Sequence, residues 1–206
     1  RLIAGWLANG RQFVQTETGH PPDLSLDEVL LLFWRHAEGH FRRPDGTPTG
    51  ELENYRDSLR PLRQLYGATT ARDFSPLKLK AVRQSMIDAG LARTTINQRI
   101  GRVVRVFKWA ASEELVPAAV YQALKTVSGL PKGRCGAREP EPVRPVPDAL
   151  VDVVRPHVAP QVWAMIQLQR LTGMRPGEVV IMRGADIDRA GEVWVYTPGR
   201  HKTEHR

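Results

Sequence analysis

A mainly α fold with a small β part, a helical domain followed by a shorter α+β segment, is what this sequence predicts, and three observations predict it. Helix-compatible stretches bounded by capping and stop residues fill most of residues 25–128 and return after 148. Between them, residues 129–147 hold five prolines and three glycines, too many for a helix. Strand-favouring residues cluster late, at Val193, Trp194, Val195 and Tyr196, after a turn over Asp188–Gly191. A chain of 206 residues has room for one large domain or two small ones.

The elements follow in order. Residues 1–24 are assigned to no element. Ser25 and Glu28 have capping-box spacing, and LDEVLLLFWRHAEGHF behind them predicts a helix to about His40. RRPDGTPTG interrupts it. A second helix is expected from about Glu51 to Tyr66, kinked or ended by Pro61. Ser75–Pro76 opens a third and Gly90 closes it. A fourth, TINQRIGRVVRVFKWAASEE, is capped by Thr94 or Thr95; at about 100° per residue, Ile96, Ile100, Val103, Val104, Phe107, Ala110 and Ala111 share an arc of about 120°, the expected core face. Residues 129–147 form a basic, extended linker. Asp148 then caps a short helix, Pro160 opens another that Gly173 ends, and Pro176 starts a third.

Charge narrows the partner. Thirty Lys and Arg against 22 Asp and Glu give +8. Residues 93–144 carry ten of the bases and four of the acids, most of that excess. A concentration of this kind favours an anionic partner. On the fourth helix Arg99, Arg102, Arg105 and Lys108 project outside the apolar arc with Trp109 between them, and no acid lies on that helix before Glu113 to pair with them. A basic stripe with an interleaved, exposed tryptophan fits a duplex backbone, and Lys132, Arg134 and Arg138 extend it into the linker. Cys135 is the sole cysteine, so no intrachain disulfide or thiolate zinc cluster is available. No run approaches the roughly 20 apolar residues of a membrane span, and no signal peptide is visible. The expectation is a soluble cytoplasmic protein without membrane contact.

TGMRPGEVVIMR, residues 172–183, is the chemically pointed stretch. Gly173 can end one helix in the left-handed conformation and Pro176 pre-sets the next, mounting Arg175 on a rigid corner. A guanidinium offers a planar fork for two phosphate oxygens and keeps its charge, which suits it to clamping a phosphate while charge develops; Glu178 would orient the fork.

LTGMRPGEVVIMRGADID, followed by a strand pair and HKTEHR, resembles the opening of the catalytic domain of tyrosine recombinases, the phage-integrase family. The preceding basic helices, with TINQRIGRVVRVFKWA, resemble that family's helical, SAM-like core-binding domain, and the resemblance runs from about Ser25 onward. It implies a core-binding domain over 25–128, a linker over 129–147 and the first part of a truncated α+β catalytic domain over 148–206. It further implies site-specific DNA recombination or integration through a 3′-phosphotyrosyl intermediate, with no cofactor, on double-stranded DNA and within a homo-oligomer. Arg175 would bind the scissile phosphate, Glu178 support it, and Lys202 protonate the leaving 5′-oxygen, with His201 and His205 flanking that lysine near DNA. The family's H-x-x-R box and nucleophilic tyrosine lie beyond the equivalent of Arg206, so this chain is expected to be an inactive fragment. The alternative is a DNA-binding module without strand transfer, such as a decayed integrase or a regulatory protein.

Two local matches lead elsewhere and are rejected. His40–Arg43 spells H-x-x-R but precedes Arg175 at a helix end. His201–His205 spells H-x-x-E-H, a zinc pattern that requires a helix, whereas the TPGR before it points to a turn into a strand, where residues four apart are separated by about 13 Å. No metal site is expected. Tyr55, Tyr66 and Tyr121 read as packing residues and Tyr196 as a strand residue, so none is a candidate nucleophile.

Overall fold

The computed structural model of the protein describes residues 23–198. Among them are eight α-helices and one two-stranded antiparallel sheet, and the chain divides into two compact units, Arg1–Glu141 and Pro142–Arg206. No described helix is long and apolar enough to cross a membrane.

Five helices build the first unit: α1 (Leu26–His40), α2 (Glu51–Tyr66), α3 (Pro76–Asp88), α4 (Arg93–Ser112) and α5 (Ala118–Lys125). Ser25 and Glu28 close the capping box of α1 reciprocally: the Glu28 N–H donates to Ser25 Oγ at 3.3 Å and the Ser25 N–H to Glu28 Oε2 at 2.9 Å. Pro61 does not end α2. The helix runs through it to Tyr66, held on either side of the proline by buried Leu59 and Leu62. Ser75 caps α3, with the Lys78 N–H donating to its Oγ at 3.4 Å, and Gly90 follows the helix at φ 72°.

Helix α4 starts earlier than its threonines suggest. Its N-cap is Ala92, and Thr94 and Thr95 lie within the helix. A tertiary contact sets this start: Ala92 pairs with Arg138 in a parallel bridge, and the Arg93 N–H donates to the Arg138 carbonyl at 3.0 Å. The buried face is Ile96, Ile100, Val103, Val106, Phe107 and Ala110. Val106 replaces Val104 and Ala111, which are half-buried, because it lies on the flank where Arg99 and Arg102 reach Asp57 and Glu51 of α2. Around this face pack Leu26, Val29, Phe33, Leu62, Leu79 and Met86, and Phe74 stacks on Phe107 at 4.9 Å. The sequence sets no bounds for helix α5, although Tyr121 reads as a helix-packing residue. Pro117 is its N-cap and supplies no side-chain acceptor; buried Val120 and Leu124, four apart, hold it to the core.

The expected linker is part of this unit through Glu139. Leu130 and Ala137 are buried. Asn97 brackets Leu130, accepting from its N–H at 2.7 Å and donating to its carbonyl at 3.1 Å, and Arg93 pairs with Glu139. The division between units falls after Glu141, so the stretch free of such anchors shrinks to about the last third of the expected linker.

The second unit contains α6 (Asp148–Asp152), α7 (Pro160–Thr172), α8 (Pro176–Val180) and the strands β1 (Ile187–Asp188) and β2 (Val195–Tyr196). Asp148 is the first residue of α6 and Pro147 its N-cap, a correction to the expected aspartate cap. Arg170 on α7 ties that helix to α6 through Asp148 at 2.9 Å and Asp152 at 2.7 Å. Ile187 pairs with Tyr196 and Asp188 with Val195; Val193 and Trp194 fall outside the strand.

Candidate phosphate-binding corner and nucleic-acid face

The sequence around Arg175 folds as its composition dictates. Gly173 ends α7 at φ 67°, a conformation open to glycine at little cost, and Pro176 begins α8. Arg175 is the N-cap between them, in extended backbone at φ −69° and ψ 144°. Glu178 closes the corner twice: its Oε2 accepts from the Arg175 backbone N–H at 3.1 Å, and its Oε1 accepts from Arg175 Nη1 at 2.9 Å. The Glu178 side chain is 19% exposed and that of Arg175 56%, so Glu178 grips one nitrogen of the fork while the arginine side chain stays largely open to solvent. This arrangement can orient an arginine toward an anion.

Tyr196 adds a support that the sequence did not signal. Its hydroxyl donates to the Glu178 carbonyl at 2.9 Å, tying the strand pair to α8. Burial, with Asp186 and Glu178 nearby, pushes its phenol above the ordinary tyrosine value. Arg183 and Asp186 repeat the corner's design at the next turn, and the hydrogen bond from Arg183 holds the Asp186 carboxyl below its usual range. Lys202, His201 and His205 lie outside the described residues.

On the first unit, the bases of α4 divide into two sets. Arg102 donates from Nε and Nη2 to the two oxygens of Glu51 at 2.8 and 3.0 Å, and Arg99 donates to Asp57 at 2.9 Å. These acids come from α2, so the absence of acids on α4 itself did not leave the arginines unpaired. The bidentate contact holds the Glu51 carboxyl below the ordinary glutamate range. Arg105 stands 3.9 Å from Glu51 with 57% of its side chain exposed, and Lys108 is exposed. Lys132, Arg134 and Arg138 are exposed too, with Arg138 Nε donating to the Gly90 carbonyl at 3.2 Å.

Trp109 differs from its expected exposure. It is half-buried against the core, edge-on to Phe33 at 5.4 Å and stacked on His36 at 5.2 Å, and its indole N–H is buried without an acceptor. His40 continues the row, stacked on His36 at 5.3 Å. The i, i+4 spacing of the two histidines was readable, but their neighbour on another helix was not.

A groove of about 680 Å³ between α1 and α2, with Leu30, Leu31, Trp34 and Leu59 along it, includes none of these candidate residues. Among the described residues no group of three His, Cys, Asp or Glu is placed to hold a metal ion. Compared with known proteins, the chain matches no family model, no curated protein and no solved structure.

Proposed function

We propose that this chain is the DNA-binding and phosphate-clamping part of a site-specific recombinase of the tyrosine-recombinase kind. The observation that carries the reading is the Arg175 corner: an arginine on a glycine–proline turn, its guanidinium gripped by a carboxylate and its side chain more than half exposed. Such a fork can take two oxygens of a phosphodiester, and its fixed charge gains most where negative charge builds up during strand cleavage. The first unit supplies the means of holding duplex DNA, through Arg105 and Lys108 on α4 with Lys132, Arg134 and Arg138 beside it. Lys202 is the proposed proton donor to the leaving oxygen.

The proposed chemistry needs an attacking tyrosine. Tyr55 is buried, Tyr66 and Tyr121 pack against the core of the first unit, and the Tyr196 hydroxyl is committed to the Glu178 carbonyl. These placements favour a nucleophile outside the described residues, and equally favour the second reading, a DNA-binding module without strand transfer. The apolar surface of the second unit bears on this choice. Val179 is buried, whereas Leu150, Val153, Leu171, Val180 and Val193 are each more than 60% exposed. Surface of this kind is suited to packing against further polypeptide.

Nicked duplex substrates test the proposal. The 206-residue chain is expected to bind them without forming a denaturant-stable adduct. A chain extended through the proposed tyrosine is expected to form one, and Arg175→Ala in that chain should abolish the adduct at near-parent duplex affinity. Adduct formation at the parent rate by the alanine variant would leave Arg175 a surface turn residue. An extended chain that binds duplex and never forms an adduct would decide for the non-catalytic module.

A further inference from the structure

Trp109 on α4 forms a row with His36 and His40 on α1, and the two histidines lie outside the basic surface drawn from α4 alone. Trp109 shares a face of α4 with Arg105, four residues before it. Its ring carries the row across to α1, first to His36 and then to His40, with interplanar angles of 27° and 18°. Both imidazoles are exposed, although the neighbouring Phe33 and Ala37 are fully buried. Core packing therefore explains the placement of Trp109 and Phe33 and leaves unexplained two aligned rings at the edge of a basic stripe. Protonated imidazoles are phosphate ligands, and neutral ones still offer an N–H donor.

We infer that the duplex-binding surface continues from Arg105 and Lys108 over Trp109 onto the C-terminal half of α1, where His36 and His40 contact the DNA backbone, His36 as a proton-dependent ligand. The inference rests on the duplex-binding part of the proposed function. The charged groups that face His36 are His40 on its own helix, which opposes its protonation, and Glu113 at the end of α4, which favours it. Partial desolvation of the ring is the largest influence and lowers its pKa, which favours neutral His36 in the free protein. A phosphate beside His36 favours the charged form. Binding then takes up protons, and affinity rises as pH falls through the histidine range.

Fluorescence anisotropy of the 206-residue chain on a labelled duplex, at fixed ionic strength and at about pH 5.5 and about pH 8, reads this directly. The parent is expected to bind roughly three- to tenfold more tightly at the lower pH. His36→Gln/His40→Gln should keep most of the affinity at the higher pH and lose most of the increase, with an unchanged thermal melt showing that the fold is intact. Arg105→Gln/Lys108→Gln should weaken binding at both pH values and keep the pH ratio. A histidine double variant with the parent's pH ratio overturns the inference while leaving duplex binding in place. A parent that binds no duplex at either pH overturns both this inference and the proposed function on which it rests.

Discussion

Arg102 shows how the same side chain can be read in two ways. On the helical wheel it belongs to a basic stripe facing outward; in the fold only 14% of its side chain is exposed, and its Nε and Nη2 both donate to Glu51. A charge-assisted bidentate bond of this kind, partly screened by solvent, contributes about 1–2 kcal/mol. Arg102→Gln is therefore expected to lower the urea midpoint and to change the salt dependence of DNA binding little, whereas Arg105→Gln and Lys108→Gln together should reduce the salt slope by about two. The pH dependence has a definite sign. The folded-state pKa of Glu51 is depressed, so its share of stability is present above the ordinary glutamate value and is lost as pH falls through the lowered one. Glu51→Gln should flatten the acid limb of a stability profile measured by urea titration. At Trp109 the N–H has no acceptor to lose, so Trp109→Phe should cost less than about 1 kcal/mol while Trp109→Ala costs about 3 kcal/mol, compared by thermal melts.

At the scale of elements, what was legible followed from local chemistry. Ser25 with Glu28, Ser75 with Pro76, and Gly173 with Pro176 each carry their cap or stop within a few residues, and the helices they bound lie where those signals put them. Three features were not legible because their causes lie far along the chain. The start of α4 is fixed by Arg138, some 45 residues on; α5 has no side-chain cap and is held by two apolar contacts; and residues 129–139 are docked by Asn97 and Arg93. Proline content correctly excluded a helix there, but extended chain can still be anchored by side-chain hydrogen bonds. Proteolysis distinguishes anchored from free chain. Proteinase K should cut first near Val143, which is 99% exposed, and trypsin should be slow at Lys132 and Arg134. Asn97→Ala, which removes both bonds to Leu130, should make those two sites the early ones. Rapid tryptic cleavage there in the parent would mean that the docking does not persist in solution.

Taken as a whole molecule, the chain pairs one unit that closes its own core with one whose described residues do not. In the first, Leu26, Val29, Leu62, Leu79, Val82, Ile96, Val103, Phe107 and Ala110 are fully buried around α4. In the second, Val179 is the buried hydrophobic residue among those described, and α6 and α7 are joined mainly through the exposed carboxylates that Arg170 engages. Burial of a leucine or valine contributes about 1.5–3 kcal/mol, while ordering each residue costs about 1–2 kcal/mol of backbone entropy. A unit with so little enclosed apolar surface cannot offset that cost by itself. Residues 23–141 produced alone should therefore unfold cooperatively, with a midpoint close to that of the first transition of the longer chain. Residues 142–206 produced alone should melt without a cooperative transition and bind a dye specific for exposed apolar surface. Extending that fragment through the proposed tyrosine should restore a cooperative melt and suppress dye binding, because the added chain would cover Leu150, Val153, Leu171 and Val180. A sharp transition from the unextended fragment would instead show that its apolar residues enclose one another in solution and need no further chain to cover them.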